Sequence, residues 1–271
     1  MGKLKLGLIV RLREDLYEPF EKVKSFDIPT CQVSFLAEDI GKFNPQKVRE
    51  VADEFGIEIS CVFFVFKNQF YNLKDGPKTM GLVAPEYRKE RLKLSKEVSD
   101  FVKEMGVNYI ATHIGFIPDD ENDPVYKSFI PVMKELLVHC KQNNQIFCFE
   151  TGQELPSTLK RTIIDLGMEN VGINLDPANL ILYGKANPLD AIEIFGKYVK
   201  GMHAKDGLWP NRDEVLGIEV PLGEGMVNFP VLLRRLKKMG YNRPITIERE
   251  ISGEKQKEDI KKAMEYLSPY L

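Results

Sequence analysis

Four apolar runs in this chain carry, at or near their ends, side chains that can do chemistry. "QIFCFET" (145–151) holds Glu150, "VGINLD" (171–176) Asp176, "VKGMHAK" (199–205) His203 and "ITIERE" (245–250) Glu248. A carboxylate at the end of an apolar run is costly unless something there requires its charge. Three carboxylates and an imidazole make a donor set for a divalent cation, and carboxylates can also move protons on a substrate. Singly, each has an ordinary explanation: a strand-end glutamate is commonly a solvated loop acid, and a strand histidine a hydrogen-bonded core residue. Four of them on consecutive runs require a common cause.

That cause is visible in the period-two alternation of a strand, which sends neighbouring side chains to opposite faces. Phe147 and Phe149 take one face, leaving Cys148 and Glu150 on the other; Val171, Ile173 and Leu175 oppose Gly172, Asn174 and Asp176. Met202 and Ala204 oppose Gly201, His203 and Lys205, and Ile245 and Ile247 oppose Thr246 and Glu248. If the apolar phase packs on helices, the other phase meets inside one rim. His113 joins it by the same count in "NYIATHIG" (108–115), as a ligand, a substrate contact or a buried structural residue. Carboxylates crowded in this way repel or take up protons. One divalent ion removes the conflict, and the oxygen-rich donor set suits Mn²⁺, Mg²⁺, Co²⁺ or Zn²⁺.

The elements that must position these groups alternate regularly. Strand runs at 5–10, 31–36, 57–66 and 108–115 precede the four already quoted, with amphipathic helices predicted between them, among them 85–106, 123–144, 155–167, 229–240 and 254–267. Gly167 and Gly240 sit just past two of the helix ends, where a left-handed cap is needed. Strand–helix alternation repeated eight times implies parallel strands with right-handed crossovers, and eight units close a (β/α)₈ barrel. An open doubly wound sheet is the competitor, but "VRLRED" stands where a glycine-rich dinucleotide loop would follow the first strand. At 271 residues the chain is expected to be one domain, 1–271, since such barrels take about 250 residues. In a barrel the catalytic groups gather at the C-terminal ends of the strands, where the four donors lie.

Composition excludes several classes. A formal net charge of −2 offers no basic footprint for nucleic acid or an anionic membrane. Four scattered cysteines, with no C-x-x-C pair, are expected to be reduced thiols. Charges interrupt "MGKLKLGLIVRLRED" too often for a signal peptide, and no run reaches the roughly 18 apolar residues of a membrane span. A cytoplasmic protein is expected, with a homo-oligomer left open.

At "FETGQE", "NLDPANLILYG", "GMHAKDG", "PLGEGMVNF" and "ITIERE" the sequence resembles the xylose isomerase-like TIM-barrel superfamily, in its sugar phosphate isomerase/epimerase group. That group includes ketose 3-epimerases, hydroxypyruvate isomerase and inosose dehydratase, and the resemblance spans nearly the whole chain. It implies metal ligands at Glu150, Asp176, His203 and Glu248, the residues already chosen by strand phase. It further implies that Glu150 and Glu248 act as acid and base beside a carbonyl, through a metal-stabilised enediolate, on a small sugar, sugar phosphate or related polyol ketone. Two alternatives accompany this expectation: an inosose-dehydratase-like lyase using the same metal site, and a non-catalytic sugar-binding barrel. The second is opposed by the four charges kept together.

The sequence departs from the ketose 3-epimerases at Asn179, where they carry a histidine, and at their downstream arginine, for which Lys205 and Arg212 are the candidates. The expected carbohydrate contacts are His113, Gln153, Asn179, Lys205 and Trp209, the only tryptophan, whose flat face suits a sugar ring. Asp206 is read as a partner of the histidine or a surface ion pair, and Gly223 and Gly225 as a candidate phosphate cradle. Phe63, Phe64, Phe66 and Phe70 are candidates for a pocket wall. A duplex-cleaving trinuclear zinc barrel needs many histidines, and this chain has three.

Overall fold

The first strand, β1 (Leu6–Arg11), pairs in parallel with β2 (Thr30–Leu36) on one side and with the last strand, β10 (Ile245–Ile247), on the other, which closes a cylinder. The computed structural model describes residues 3–271. Between those strands the staves are β3 (Glu58–Val65), β4 (Tyr109–Thr112), β5 (Ile146–Glu150), β6 (Val171–Leu175) and β7 (Val199–Ala204), all parallel to their neighbours. The result is an eight-stranded parallel barrel in a single domain.

Helices α1 (Tyr17–Ser25), α2 (Pro45–Glu54), α3 (Gly76–Thr79), α4 (Arg88–Glu104) and α5 (Pro124–Gln142) fill the first half of the chain. The second half holds α6 (Pro156–Leu166), α7 (Pro177–Leu182), α8 (Pro188–Phe195), α9 (Phe229–Lys238) and α10 (Glu254–Leu267). The five helices expected from sequence are all present, four of them shorter than expected and 254–267 unchanged, and Gly167 caps α6 with φ 61° in the left-handed region. Among the described residues no helix is long and apolar enough to cross a membrane.

The alternation read from sequence holds. Phe147, Phe149, Ile173 and Met202 are fully or almost fully buried against the helical layer, a burial that contributes about 1.5–3 kcal/mol for each such side chain. Cys61, Phe63, Ala111 and Cys148 form a separate small cluster within the cylinder. Gly201 is required there, because a Cβ on it would stand 2.2 Å from Asn174 Oδ1.

One element escaped sequence reading. Residues after β7 leave the barrel as a two-stranded antiparallel hairpin, β8 (Asp206–Leu208) with β9 (Ile218–Val220). Strands of three residues are too short to show a period, so this stretch reads as loop.

Candidate functional site

The rim at the C-terminal ends of the staves collects the chemistry. Glu150 is the last residue of β5, His203 lies within β7, and Asp176 follows β6 directly. Glu248 follows β10, its N–H still bonded to Ala204 O at 3.1 Å. His203 Nδ1 stands 2.9 Å from Glu150 Oε1, 3.1 Å from Glu248 Oε2 and 4.0 Å from Asp176 Oδ2. One donor atom from each of the four lies within 4.8 Å of all the others.

Neutral amides hold this cluster in place. Gln32 Oε1, from β2, accepts from His203 Nε2–H at 2.9 Å, which leaves Nδ1 facing the carboxylates. Asn174 donates from Nδ2 to Glu150 Oε2, and Gln32 Nε2 reaches Asn174 Oδ1 at 3.4 Å. Asp176 Oδ1 caps α7 by accepting from Asn179 N at 2.8 Å. Its Oδ2 has no hydrogen bond: Lys205 Nζ is 2.8 Å away, as an ion pair out of line for one. His203 Nδ1 is likewise without an aligned partner despite its three carboxylate neighbours.

Burial pushes the Asp176 carboxyl up to about 8, with the Glu248 and Glu150 charges adding to it and Lys205 and His203 opposing. Glu248 goes the other way: burial opposes, but Lys205 and His203 outweigh it and hold the group well below the usual carboxylate range. Burial works against charge on His203, yet Glu150 and Glu248 raise its pKa well above the ordinary imidazole value. The cluster therefore collects positive charge wherever it can, on an imidazole and on the Lys205 ammonium. Two orphaned buried donors, converging carboxylates and an imidazole already oriented by its other nitrogen fit a divalent cation.

A cavity of about 410 Å³ opens beside Glu248. Of the expected substrate contacts, His113 and Asn179 line it. His113 Nδ1 lies 3.3 Å from Gln153 Nε2, and its ring meets Phe63 and Tyr71 edge-on with centroids 5.5 and 5.3 Å apart. Burial lowers the His113 pKa, so the ring is neutral at neutral pH. Gln153 is buried and its Oε1 is unpartnered. Lys205, buried to 2 % exposure, reaches Asp176 Oδ2, Glu248 Oε2 at 3.3 Å and Glu250 Oε1 at 2.7 Å. Trp209 lies outside this wall, 38 % exposed between β8 and β9, and Leu216 of the same excursion lines the cavity. Of the phenylalanines, Phe63 is in the wall, Phe64 and Phe66 are core, and Phe70 is exposed.

Two sequence expectations are corrected. Asp206 is neither the histidine's partner nor a surface ion; it accepts four backbone N–H groups, from Gly207, Gly223, Gly225 and Val227, at 2.9 to 3.1 Å. The Gly223–Gly225 loop thus turns its amides on its own carboxylate and is no phosphate cradle. A Cβ at Gly225 would lie 2.1 Å from Asp206 Oδ1, so the close approach needs glycine.

Sequence reading missed Gln32, Tyr71, Tyr183, Glu250 and Arg11 as parts of the site. Gln32 and Glu250 had a legible signal, a polar side chain in the inward phase of "CQVSFL" and "ITIERE". Tyr71 and Tyr183 come from loops, where no phase applies.

Comparisons with known proteins agree with this architecture. A family model described as a xylose isomerase-like TIM barrel matches residues 20–270. A crystal structure of a xylose isomerase domain protein from Planctomyces limnophilus is 35% identical, with a TM-score of 0.93 over 99% of this chain and 98% of that one. D-psicose 3-epimerase from Clostridium cellulolyticum H10, solved with D-tagatose, superposes with a TM-score of 0.72 at 14% identity, covering 99% of each chain. A xylose isomerase-like TIM barrel protein from Mycobacterium smegmatis in complex with magnesium gives 0.70 at 16%, covering 99% of this chain and 98% of that one. At those identities the last two share the fold.

Proposed function

The chain belongs to the xylose isomerase-like TIM barrel family, and within it we propose an isomerase or epimerase, dependent on one divalent metal ion, that moves a proton on the carbon next to a carbonyl of a small carbohydrate. The observation that carries this reading is the approach of two glutamates to one imidazole nitrogen, at 2.9 and 3.1 Å, beside a cavity of sugar size. Glu150, Asp176, His203 and Glu248 would hold the ion. When bound, such a cation supplies Lewis acidity that polarises the carbonyl and makes the adjacent proton more acidic.

The chain's own residues do the rest. Glu248, in the cavity wall and held ionised by Lys205 and His203, takes the proton, and Glu150 returns one to the substrate. Return to the same carbon from its other face inverts it; return to the old carbonyl carbon, with the proton of the neighbouring hydroxyl passing to the old carbonyl oxygen, converts aldose and ketose. His113, neutral and braced by Gln153, donates its remaining ring N–H to a substrate oxygen, and the Asn179 amide binds a hydroxyl without moving a proton. Lys205 keeps Glu248 charged in a buried setting and opposes the burial that raises the Asp176 pKa. Trp209 stays in the proposed set as a stacking face carried on the excursion between β8 and β9. Phe63 and Tyr71 keep water from the reacting carbon.

The test is solvent exchange. Incubation with a panel of ketoses and aldoses in deuterated water, with Mn²⁺, Mg²⁺, Co²⁺ or Zn²⁺ supplied, should place deuterium on the carbon beside the carbonyl. Loss of water with a new enone absorbance would assign the protein as a dehydratase instead. Metal binding without exchange or elimination on any sugar would leave a carbohydrate-binding barrel.

A further inference from the structure

Beside the site cavity lies a second one of about 600 Å³, and Arg11, Glu248 and Glu250 stand in the walls of both. The two spaces are thus neighbours across the end of β1. The wall away from the metal ligands is basic: Arg11 ends β1, Arg13 follows it, and Lys22 projects from α1.

The acids around this second cavity are already committed. Glu250 holds Lys205 at 2.7 Å, Glu248 faces His203 and Lys205, and Glu18 stands 3.5 Å from Arg13. Arg249, also in the wall, is matched by Glu219 at 3.0 Å and Asp259 at 2.9 Å. Arg11 has no ion-pair or hydrogen-bond partner among the described residues. Lys22 is half-buried and gives Nζ to the neutral Gln256 Oε1 at 2.6 Å. Burial lowers its pKa, Arg13 and Lys257 add to the fall, and Glu18 opposes it. Two cations facing one cavity without a carboxylate of their own have no use for a neutral sugar tail. They match an anion, which a guanidinium can grip with two parallel N–H groups.

We propose that this second cavity receives an anionic group, a phosphate monoester or a carboxylate, on the end of the substrate remote from the reacting carbon, with Arg11 as the contact shared between the cavities and Lys22 and Arg13 beside it. For the reacting end this rests on the isomerase or epimerase reading above; the anion contact itself does not.

Two measurements test it separately. Inorganic phosphate is titrated into the protein at constant ionic strength by calorimetry, with Arg11→Gln, Lys22→Gln and the double variant alongside, their folding checked by circular dichroism. Saturable binding that weakens at least about tenfold in Arg11→Gln and further in the double variant is expected. No binding, or binding indifferent to both substitutions, overturns the site. In the exchange assay, matched neutral, terminally phosphorylated and terminally carboxylated sugars are compared, and the anionic ones should exceed the neutral in kcat/KM by at least about tenfold. Phosphorylated over carboxylated, or the reverse, identifies the source of the charge. Equal exchange by neutral sugars overturns the anion site and leaves the isomerase reading standing. Arg11-dependent phosphate binding with no exchange on any sugar does the opposite.

Discussion

Asp176 and Asp206 are two fully buried aspartates on one barrel rim, and they are satisfied in opposite ways. Asp206 accepts four backbone N–H groups and turns the 223–227 loop around itself. Asp176 gives Oδ1 to a helix cap and leaves Oδ2 with no aligned donor, facing a lysine, a histidine and two further carboxylates. Burial raises the pKa of both. Backbone amides cannot leave without unfolding the loop, so the charge on Asp206 builds structure. Protons, ammonium groups and metal ions can be exchanged, so the free Oδ2 of Asp176 is available for binding. What separates a structural acid from a functional one here is the kind of partner.

Substitutions should divide along the same line. Glu150→Gln and Glu248→Gln are expected to lower turnover in the exchange assay by at least about a hundredfold, the scale of acid–base assistance. Both variants should stay folded, with a fall in the Glu248→Gln midpoint, because His203 and Lys205 lose the carboxylate that they hold charged. Near-normal exchange by either variant would remove that glutamate from the chemistry.

Asp206→Ala should do the reverse. It leaves four backbone donors around a buried gap, and a destabilisation of about 2–3 kcal/mol is expected from urea denaturation, most of the loop's amides then finding water. Metal bound per folded chain should stay unchanged. Loss of metal without loss of stability would place Asp206 in the functional cluster and erase the contrast.

Gln32→Leu probes the boundary between the two groups. Its carboxamide touches no carboxylate; it accepts from His203 Nε2–H and so aims Nδ1 at the cluster. Removing such a brace typically weakens a metal about tenfold or more. Competition against a chelating dye should show that loss while the fold survives. Unchanged affinity would mean that packing alone orients the imidazole, Phe63 lying 5.4 Å from its centroid.

Much of this was legible in the sequence, for reasons that also mark the limit. Strand alternation is strict, so counting by two placed Glu150, Asp176, His203 and Glu248 on one rim, and the eightfold repeat supplied the closed barrel. Gln32 stood in the same phase but is neutral, and a lone amide creates no conflict that calls for explanation. Asp206 was illegible because its partners are backbone N–H groups, which every residue but proline carries. Arg11 could not be distinguished from any strand-end arginine until its lack of a carboxylate was seen in three dimensions.

A third kind of buried acid sharpens the comparison with a smaller effect. Glu154, in the turn after β5, is buried, and its Oε1 has no partner. Burial raises its pKa to about 8, against the opposition of nearby backbone N–H groups and Lys185, with the Glu150 charge adding to the rise. It is therefore held protonated, relieved neither by amides nor by a cation. The unfolded chain gives it a value of about 4.3, so between about pH 4.5 and 8 the folded state binds more proton than the unfolded one. Stability from this group is complete below that window and falls as pH rises through it, by at most about 1.4 kcal/mol per unit. Glu154→Gln keeps the shape and removes the titration. Urea unfolding from about pH 5 to pH 8 should show the variant gaining on the parent by about 1 kcal/mol or more at the upper end. Parallel curves would mean that Glu154 is ionised in the fold like Asp206, with a donor set still to be found.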